Sequence, residues 1–412
     1  MLSMHKISFS LIVVVMAVAC GENKSVADSK PTLENAPKGT FSYDKNFLQK
    51  HDSNIVELKT GNAAVLVSPA YQAKVFTSTA DGDEGKSFGW INYKAFGAAI
   101  DPHMNAYGGE NRIWLGPEGG KYSLYFKKGD SMVFDNWKTP ASIDTENWQV
   151  DKKDDHTVIL KKDISITNYT GTPLSMNVTR EIAIQDKNEI EKILAVSLGD
   201  SVKYVGYSTT NILKNTGDME WTEQTGMPCI WILDMFNPSD STVIVIPHKP
   251  ALNGGKIATT NYFGEIPGDR IKFSGNTLFF KADGKSRGKL GIVPLNALPV
   301  AGSYDAMNNV LTITFFSVDN NAKYLNQEWN TVKPAFSGDA MNAYNDGPLS
   351  NGSQMGPFYE IESVSPAAAL KSTEEIKHTH NVYHFTGDKA QLNSIAEKVL
   401  GVSLATIQTA FK

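Results

Sequence analysis

The sequence predicts an all-β fold: a large twisted antiparallel β-sandwich with short C-terminal helices. Three observations predict it. Short β-type runs separated by turn signals recur from about residue 47 to 383. Several runs alternate apolar and polar residues, as Val178-Thr-Arg-Glu-Ile-Ala-Ile184 does. No βα alternation, dinucleotide fingerprint or fixed-period repeat interrupts them.

The N-terminal residues stand apart. His5 and Lys6 precede an apolar run from Ile7 to Ala19, which is too short to span a bilayer and is laid out as a secretory signal. Ala17-Val-Ala-Cys20 resembles a bacterial lipobox, with Ala where Leu is usual, so Cys20 is the expected lipidated residue. An ordinary signal cut near Ala19 is the alternative, and both readings export the protein. Residues 20–45 are rich in Ser, Lys, Asn, Asp and Pro and read as a flexible tether. Residues 46–412 are then one β-sandwich domain with its C-terminal helices. The expected location is the periplasm or the cell surface, with the lipid anchor as the only membrane contact.

With 412 residues, 41% of them hydrophobic, the chain can bury a large core, and a net charge of −5 gives no electrostatic case for nucleic acid. With Cys20 lipidated, Cys229 can form no intramolecular disulfide. Its neighbours Ile230 to Leu233 mark it as a buried core residue.

Taken in order, β-type runs occupy Ala64–Val67, Ala73–Thr77, His156–Lys161, Met176–Ile184, Val243–Ile246, Val310–Val318 and Phe358–Ser363. Asp81-Gly82, Asn253-Gly-Gly255 and Ser274-Gly-Asn276 are among the turns between them. At the end, Leu392, Ile395, Ala396 and Val399 fall at helical spacing before Gly401. A second short helix is expected over residues 403–411, both docking on the sheet.

Four stretches concentrate polar groups. In Tyr107–Phe126, glycine turns bracket Glu110, Arg112 and Trp114, which share parity and so one face of an extended chain; Tyr122–Phe126 reads as an alternating strand. A carboxylate, a guanidinium and an indole on one face suit a polyol ring, although an ion pair beside a half-buried Trp gives the same pattern. Glu118 adds a carboxylate in the glycine turn. In Phe358–Ser363, Glu360 and Glu362 share a face roughly 6–7 Å apart, close enough for one to raise the other's pKa. His378, His380 and His384 share parity too. They suit acid/base or ligand contact, and a metal at these three is the less favoured reading, so no cofactor is expected. Finally Met341–Pro348 reads as a loop whose Asn345 and Asp346 could hydrogen-bond hydroxyls. Trp137 and Trp329 are among the tryptophans that could serve as stacking platforms.

Together these stretches resemble the galactose mutarotase-like (aldose 1-epimerase-like) superfamily, and within it a group of exported bacterial lipoproteins. The resemblance is carried by Tyr107-Gly-Gly-Glu-Asn-Arg-Ile-Trp-Leu-Gly-Pro-Glu-Gly-Gly120, by Ser208–Gly217 with Trp221, and by Phe358-Tyr-Glu-Ile-Glu-Ser-Val-Ser-Pro366 with the histidines. It implies a two-sheet fold with a sugar site on the concave face, Glu360 as base and His378 or His380 as acid. The chain lacks a mid-chain His followed shortly by Tyr-Phe-Asn; His248 stands in Ile246-Pro-His-Lys-Pro250 instead. The expected function is that of an exported, lipid-anchored protein doing acid/base chemistry on a carbohydrate. Glu360, His378, His380 and Glu118 would be catalytic. Glu110, Arg112, Trp114, Glu362, His384, Asn345 and Asp346 would contact the sugar. A non-catalytic glycan-binding lipoprotein is the alternative, and a structural envelope protein a third reading.

Overall fold

The computed structural model describes residues 36–251 and 254–412. The signal segment, Cys20 and most of the tether lie outside the described residues. The chain begins with helix α1 (Phe41–His51) and strands β1 (Val56–Thr60), β2 (Ala63–Ser68), β3 (Lys74–Thr79) and β4 (Arg112–Gly116). Strands β5 (Gln149–Lys153), β6 (Thr157–Thr167) and β7 (Pro173–Ile184) precede helix α2 (Lys187–Leu194) and β8 (Val202–Asn215). Then come β9 (Cys229–Leu233), β10 (Thr242–Pro247), β11 (Ala258–Thr259), β12 (Ile271–Ser274), β13 (Thr277–Lys281) and β14 (Gly288–Ile292). The last strands are β15 (Val300–Asp305), β16 (Val310–Phe316), β17 (Met341–Asn345), β18 (Tyr359–Val364) and β19 (Glu375–Gly387). Helices α3 (Lys389–Leu400) and α4 (Leu404–Gln408) follow them.

These strands form three antiparallel sheets. A ten-stranded sheet runs β12-β13-β10-β15-β16-β19-β8-β7-β6-β5, and a six-stranded sheet runs β11-β14-β17-β18-β9-β4. The third, β1-β2-β3, joins the six-stranded layer through a bridge from Val75 to Asn111. The main core fills the space between the layers, with Ile113, Ile230, Ile232 and Ile361 from the smaller sheet against Val178, Ile182, Leu213 and Val382 from the larger. This is the large antiparallel sandwich the alternation predicts.

The outer face of the ten-stranded sheet is treated in two ways. Along β7 buried and more exposed residues alternate strictly, and along β6 they do so as far as Lys161, the mark of a sheet with one wet face. Over β10, β15, β16 and β19 the outer face is apolar, and α2, α3 and α4 cover it with Ile190, Leu194, Leu392, Ile395, Leu400, Leu404 and Ile407. Helix α2 is absent from the sequence reading, yet its signal is present. Asp186 and Glu189 form a capping box ahead of Ile190 and Leu194.

Three expectations change. The tether does not extend to residue 45, because α1 starts at Phe41. Thr40 caps it and Phe41 and Leu48 bury themselves against the outer face of β2 and β3. Tyr122–Phe126 is not a strand; its four aromatic and aliphatic side chains are buried, but its backbone runs as turns, tied by Leu124 N–H to Pro117 O at 3.0 Å. Met341–Asn345 is no loop but β17, central in the six-stranded sheet and buried throughout.

Candidate active site

Strand alternation decides which side chains leave the smaller sheet on its outer side. In β18, Tyr359 and Ser363 bond to the ten-stranded sheet, the Tyr359 hydroxyl to Ser303 Oγ at 2.7 Å, so Glu360 and Glu362 point the opposite way. Antiparallel register brings matching positions alongside: Tyr344 lies opposite Glu360, Leu233 opposite Glu362, Arg112 opposite Leu233, Trp231 opposite Trp114, and Lys289 opposite Tyr344. Five strands thus contribute to one floor.

Two contiguous hollows of about 570 and about 200 Å³ lie over it, a size suited to a small ligand. Trp114, Trp137, Trp231 and Trp329 line them with Phe134, Phe263 and Tyr344. Arg112 donates to Glu360 Oε1 at 2.5 Å, and its guanidinium lies 5.3 Å from the Trp114 ring. Glu362 Oε2 accepts from Lys289 Nζ at 2.9 Å and from the Trp231 indole N–H at 2.8 Å. Lys289 also sits 4.7 Å from the Trp231 ring. On the loop after β4, Glu118 Oε1 accepts from Trp329 Nε1 at 3.0 Å, while Gln327 holds the Glu118 backbone N–H at 2.6 Å. At the mouth, Arg287 packs 3.8 Å from the Phe263 ring, and the Tyr344 hydroxyl donates to Asp346 at 2.9 Å.

The electrostatics follow from burial. Removal from water pushes Glu360 up to about 8; Arg112 and Lys289 oppose the rise and Glu362 adds to it. Burial raises Glu118 too, against the pull of Lys289, the Trp329 N–H and Arg287. Two carboxyl groups, each pushed up by burial and pulled back by neighbouring donors, therefore face one aromatic pocket. Lone carboxylates at these sites would be costly to bury, which is why each has a fixed donor.

The structure brings Arg112, Trp114, Glu118, Asp346 and Glu360 to the pocket, with Glu362 directly behind Lys289. It takes the other named residues elsewhere. Asn345 clamps a turn, accepting from Gly284 N–H at 2.8 Å and donating to Ser286 O at 2.8 Å. Glu110 does not share a face with Arg112. Both Glu110 and Asn111 turn inward, Glu110 to Ser78 at 2.7 Å and Asn111 to Asp234 at 2.6 Å, so the parity breaks before the strand begins. His378, His380 and His384 also project between the sheets, not into the pocket. Ser363 Oγ is hydrogen-bonded to His378 Nε2 and His380 Nδ1, both at 2.8 Å. His380 Nε2 meets Asp234 at 2.8 Å, and His384 Nε2 meets Glu110 at 3.1 Å. Ser317 and Thr312 hold the remaining nitrogens of His378 and His384, each at 2.9 Å. All six ring nitrogens are engaged, and among the described residues no group of three or more His, Cys, Asp or Glu is arranged to hold a metal ion. His248 is buried elsewhere, its Nδ1 against Lys249 O at 2.9 Å.

Lys289, Arg287, Tyr262 and Phe263 went unnoticed in the sequence. The available signal was parity: Arg287 and Lys289 flank a glycine in a run whose other positions are small or apolar. Trp231 read as core, being in an unbroken apolar run, yet its ring lies on the pocket floor. Cys229 is buried there as expected, its thiol pushed up to about 12 by burial.

Fold and site define a two-layer antiparallel β-sandwich with an aromatic, carboxyl-bearing pocket on the outer face of its smaller sheet. Among solved structures the chain is similar to a galactose mutarotase-like protein from Lactobacillus casei ATCC 334. Identity is 10% and the TM-score 0.46, over 80% of this chain and 100% of that one. It is also similar to the Slr1438 protein of Synechocystis sp. PCC 6803, with 12% identity and a TM-score of 0.47 over 81% and 96% of the two chains. A galactose mutarotase related enzyme from Lactobacillus acidophilus is a third, at 9% identity and a TM-score of 0.41 over 80% and 97%. No curated protein matches the chain. The chain belongs to a family of unknown function (DUF6786), whose model matches residues 39–411.

The inward histidines have a consequence for acid stability. Burial, with His380 adding to it, pulls His378 down to about 3, so the folded protein resists a proton that the unfolded chain takes up near 6.5. Stability from the neutral ring is complete above 6.5 and is lost as pH falls toward 3. The destabilisation caused by His378→Gln should therefore be larger at pH 7 than at pH 4 in urea unfolding. A cost that stays constant across that range would contradict a buried neutral imidazole.

Proposed function

We propose that the pocket binds a sugar ring and carries out acid/base chemistry on it, with Glu360 and Glu118 as the proton-transferring groups. The observation that carries this reading is the pairing of two carboxyl groups, each held by its own donor, with four tryptophan rings lining one hollow. Indole faces cover the apolar face of a pyranose, and the fixed cations and amides suit its hydroxyls. Among the described residues no histidine lines the hollow, so the acid role passes from His378 or His380 to a carboxyl group. A group pushed up to about 8 still carries its proton at neutral pH, which makes Glu360 the donor rather than the base expected from the sequence. Glu118 is raised by burial as well, but Lys289, the Trp329 N–H and Arg287 oppose that rise, and it is then assigned as the acceptor. A mutarotase-like ring opening needs one proton delivered to the ring oxygen and one removed from the anomeric hydroxyl, and this pair supplies both.

The competing reading is a glycan-binding pocket without turnover. It is favoured by the same inward histidines, since both ring nitrogens of each are already engaged within the protein. Turnover separates the two. Anomeric exchange or product formation, followed by NMR over a monosaccharide and glycan panel, should fall as pH rises through about 8 and Glu360 loses its proton. Glu360→Gln should lower the rate roughly 10²–10⁴-fold and abolish that alkaline limb. Saturable binding with no chemical change in any sugar would establish the binding protein instead.

We also propose that the protein is exported and anchored through lipid on Cys20, supported by the apolar run ending in Ala17-Val-Ala-Cys20. Metabolic labelling with radioactive palmitate should mark the wild-type protein and not Cys20→Ala. Equal labelling of both would remove the anchor.

A further inference from the structure

A second hollow, of about 670 Å³, lies beside the first and shares Gln354 and Met355 with it as a common wall. The divide is firmly held. Gln354 donates to Gly284 O at 2.8 Å, and Gly356 N–H donates to Asp346 Oδ2 at 3.1 Å. Gly356 is pressed against the Trp90 ring with no room for a Cβ, and Trp90 in turn packs 4.7 Å from Phe358 of the first pocket. A ligand that overruns the first hollow across Met355, itself exposed, meets the second.

The lining of this second hollow has a distinct character. Lys38, Lys86 and Lys94 line it, and none makes an ion pair within 4 Å among the described residues, although Asp44 attracts Lys38 and Asp305 attracts Lys86 from further off. Among the described residues Asp44 is the one acidic residue lining it, and the Ser87 and Tyr93 hydroxyls already donate to that carboxylate. The lysines are placed by backbone pairing: Lys86 bridges to Thr40, and Ser87 N–H donates to Gly39 O at 3.0 Å, fixing the Lys38 turn against the wall. Lys38 Nζ lies 4.9 Å from the Tyr93 ring. Lysines spread over a solvated surface repel and separate, whereas three lysines lining one hollow raise the local potential for an anion. Ammonium-to-oxyanion hydrogen bonds are the strong class, and the Tyr93 ring offers an apolar face beside them.

We infer that this second hollow is a subsite for an anionic substituent, a carboxylate or a sulfate, on a sugar adjoining the one in the first pocket. The substrate class is then an acidic oligosaccharide; the inference rests on the sugar-pocket reading above. Lys38, Lys86 and Lys94 bind the substituent, and Met355 lies along the path between the two rings.

Calorimetric titration of the intact protein tests it with four probes: a monosaccharide panel, a neutral galactan hexamer, an oligogalacturonate hexamer and a chondroitin sulfate hexamer. The expected result is at least about tenfold tighter binding of one acidic hexamer than of the neutral one, weakening with salt. Preference for the galacturonate identifies the carboxylate, and preference for the chondroitin hexamer the sulfate. Lys94→Gln and the Lys38→Gln/Lys94→Gln pair, both at exposed positions, should each erase part of the preference. No acidic preference, or one that survives both substitutions, overturns the subsite. Monosaccharide binding that persists in that case leaves the first pocket standing, and its absence takes the sugar reading away as well.

Discussion

Strand β18 imposes the constraint on which the rest depends, because it is buried on both faces and carries polar groups on each. On the inner side, Ser363 ties the two sheets together through His378 and His380. On the outer side, one and three residues earlier, Glu362 and Glu360 bear the chemistry of the pocket. A buried carboxylate needs a donor, and here the sheet register supplies one to each, Arg112 across from β4 and Lys289 across from β14. Moving β18 by one residue would send both carboxylates into the apolar core and the Tyr359 ring into the pocket. The inner network is therefore what keeps the outer site in register.

That inner network extends well beyond Ser363. Asp234 bonds to His380 and Asn111, Asn111 to Arg180, and Arg180 to Asn211 at 2.9 Å, all of them buried. Burial raises Asp234 and pulls Arg180 down to about 10, the expected response of charges removed from water. Removing any one member leaves a buried partner unpaired, so the network is costly to alter and fixes one arrangement of the two sheets.

Much of this was legible in the sequence, for physical reasons that can be stated. Alternation with a period of two marks β6, β7 and β18 whatever the fold around them, and it correctly puts Glu360 with Glu362 and Arg112 with Trp114. What alternation cannot tell is which face looks inward. His378, His380 and His384 share a face as their spacing requires, but it is the face between the sheets. Glu110 shows the second limit: parity holds only within a regular strand, and Gly108 and Gly109, both at positive φ, reset the chain just before it. Lys289 shows a third, since a lone lysine among buried residues gains its meaning only when Glu362 arrives from a strand some seventy residues later.

The central claim is that burial holds a proton on Glu360 at neutral pH despite Arg112 at 2.5 Å. The most direct measurement is a carbon-detected NMR titration of the glutamate side-chain carboxyls in the intact protein, with the Glu360 signal assigned by its loss in Glu360→Gln. A midpoint near 8 is expected. A midpoint near the ordinary 4.5 would mean that Arg112 outweighs burial, and the proton donor of the pocket would have to be another group.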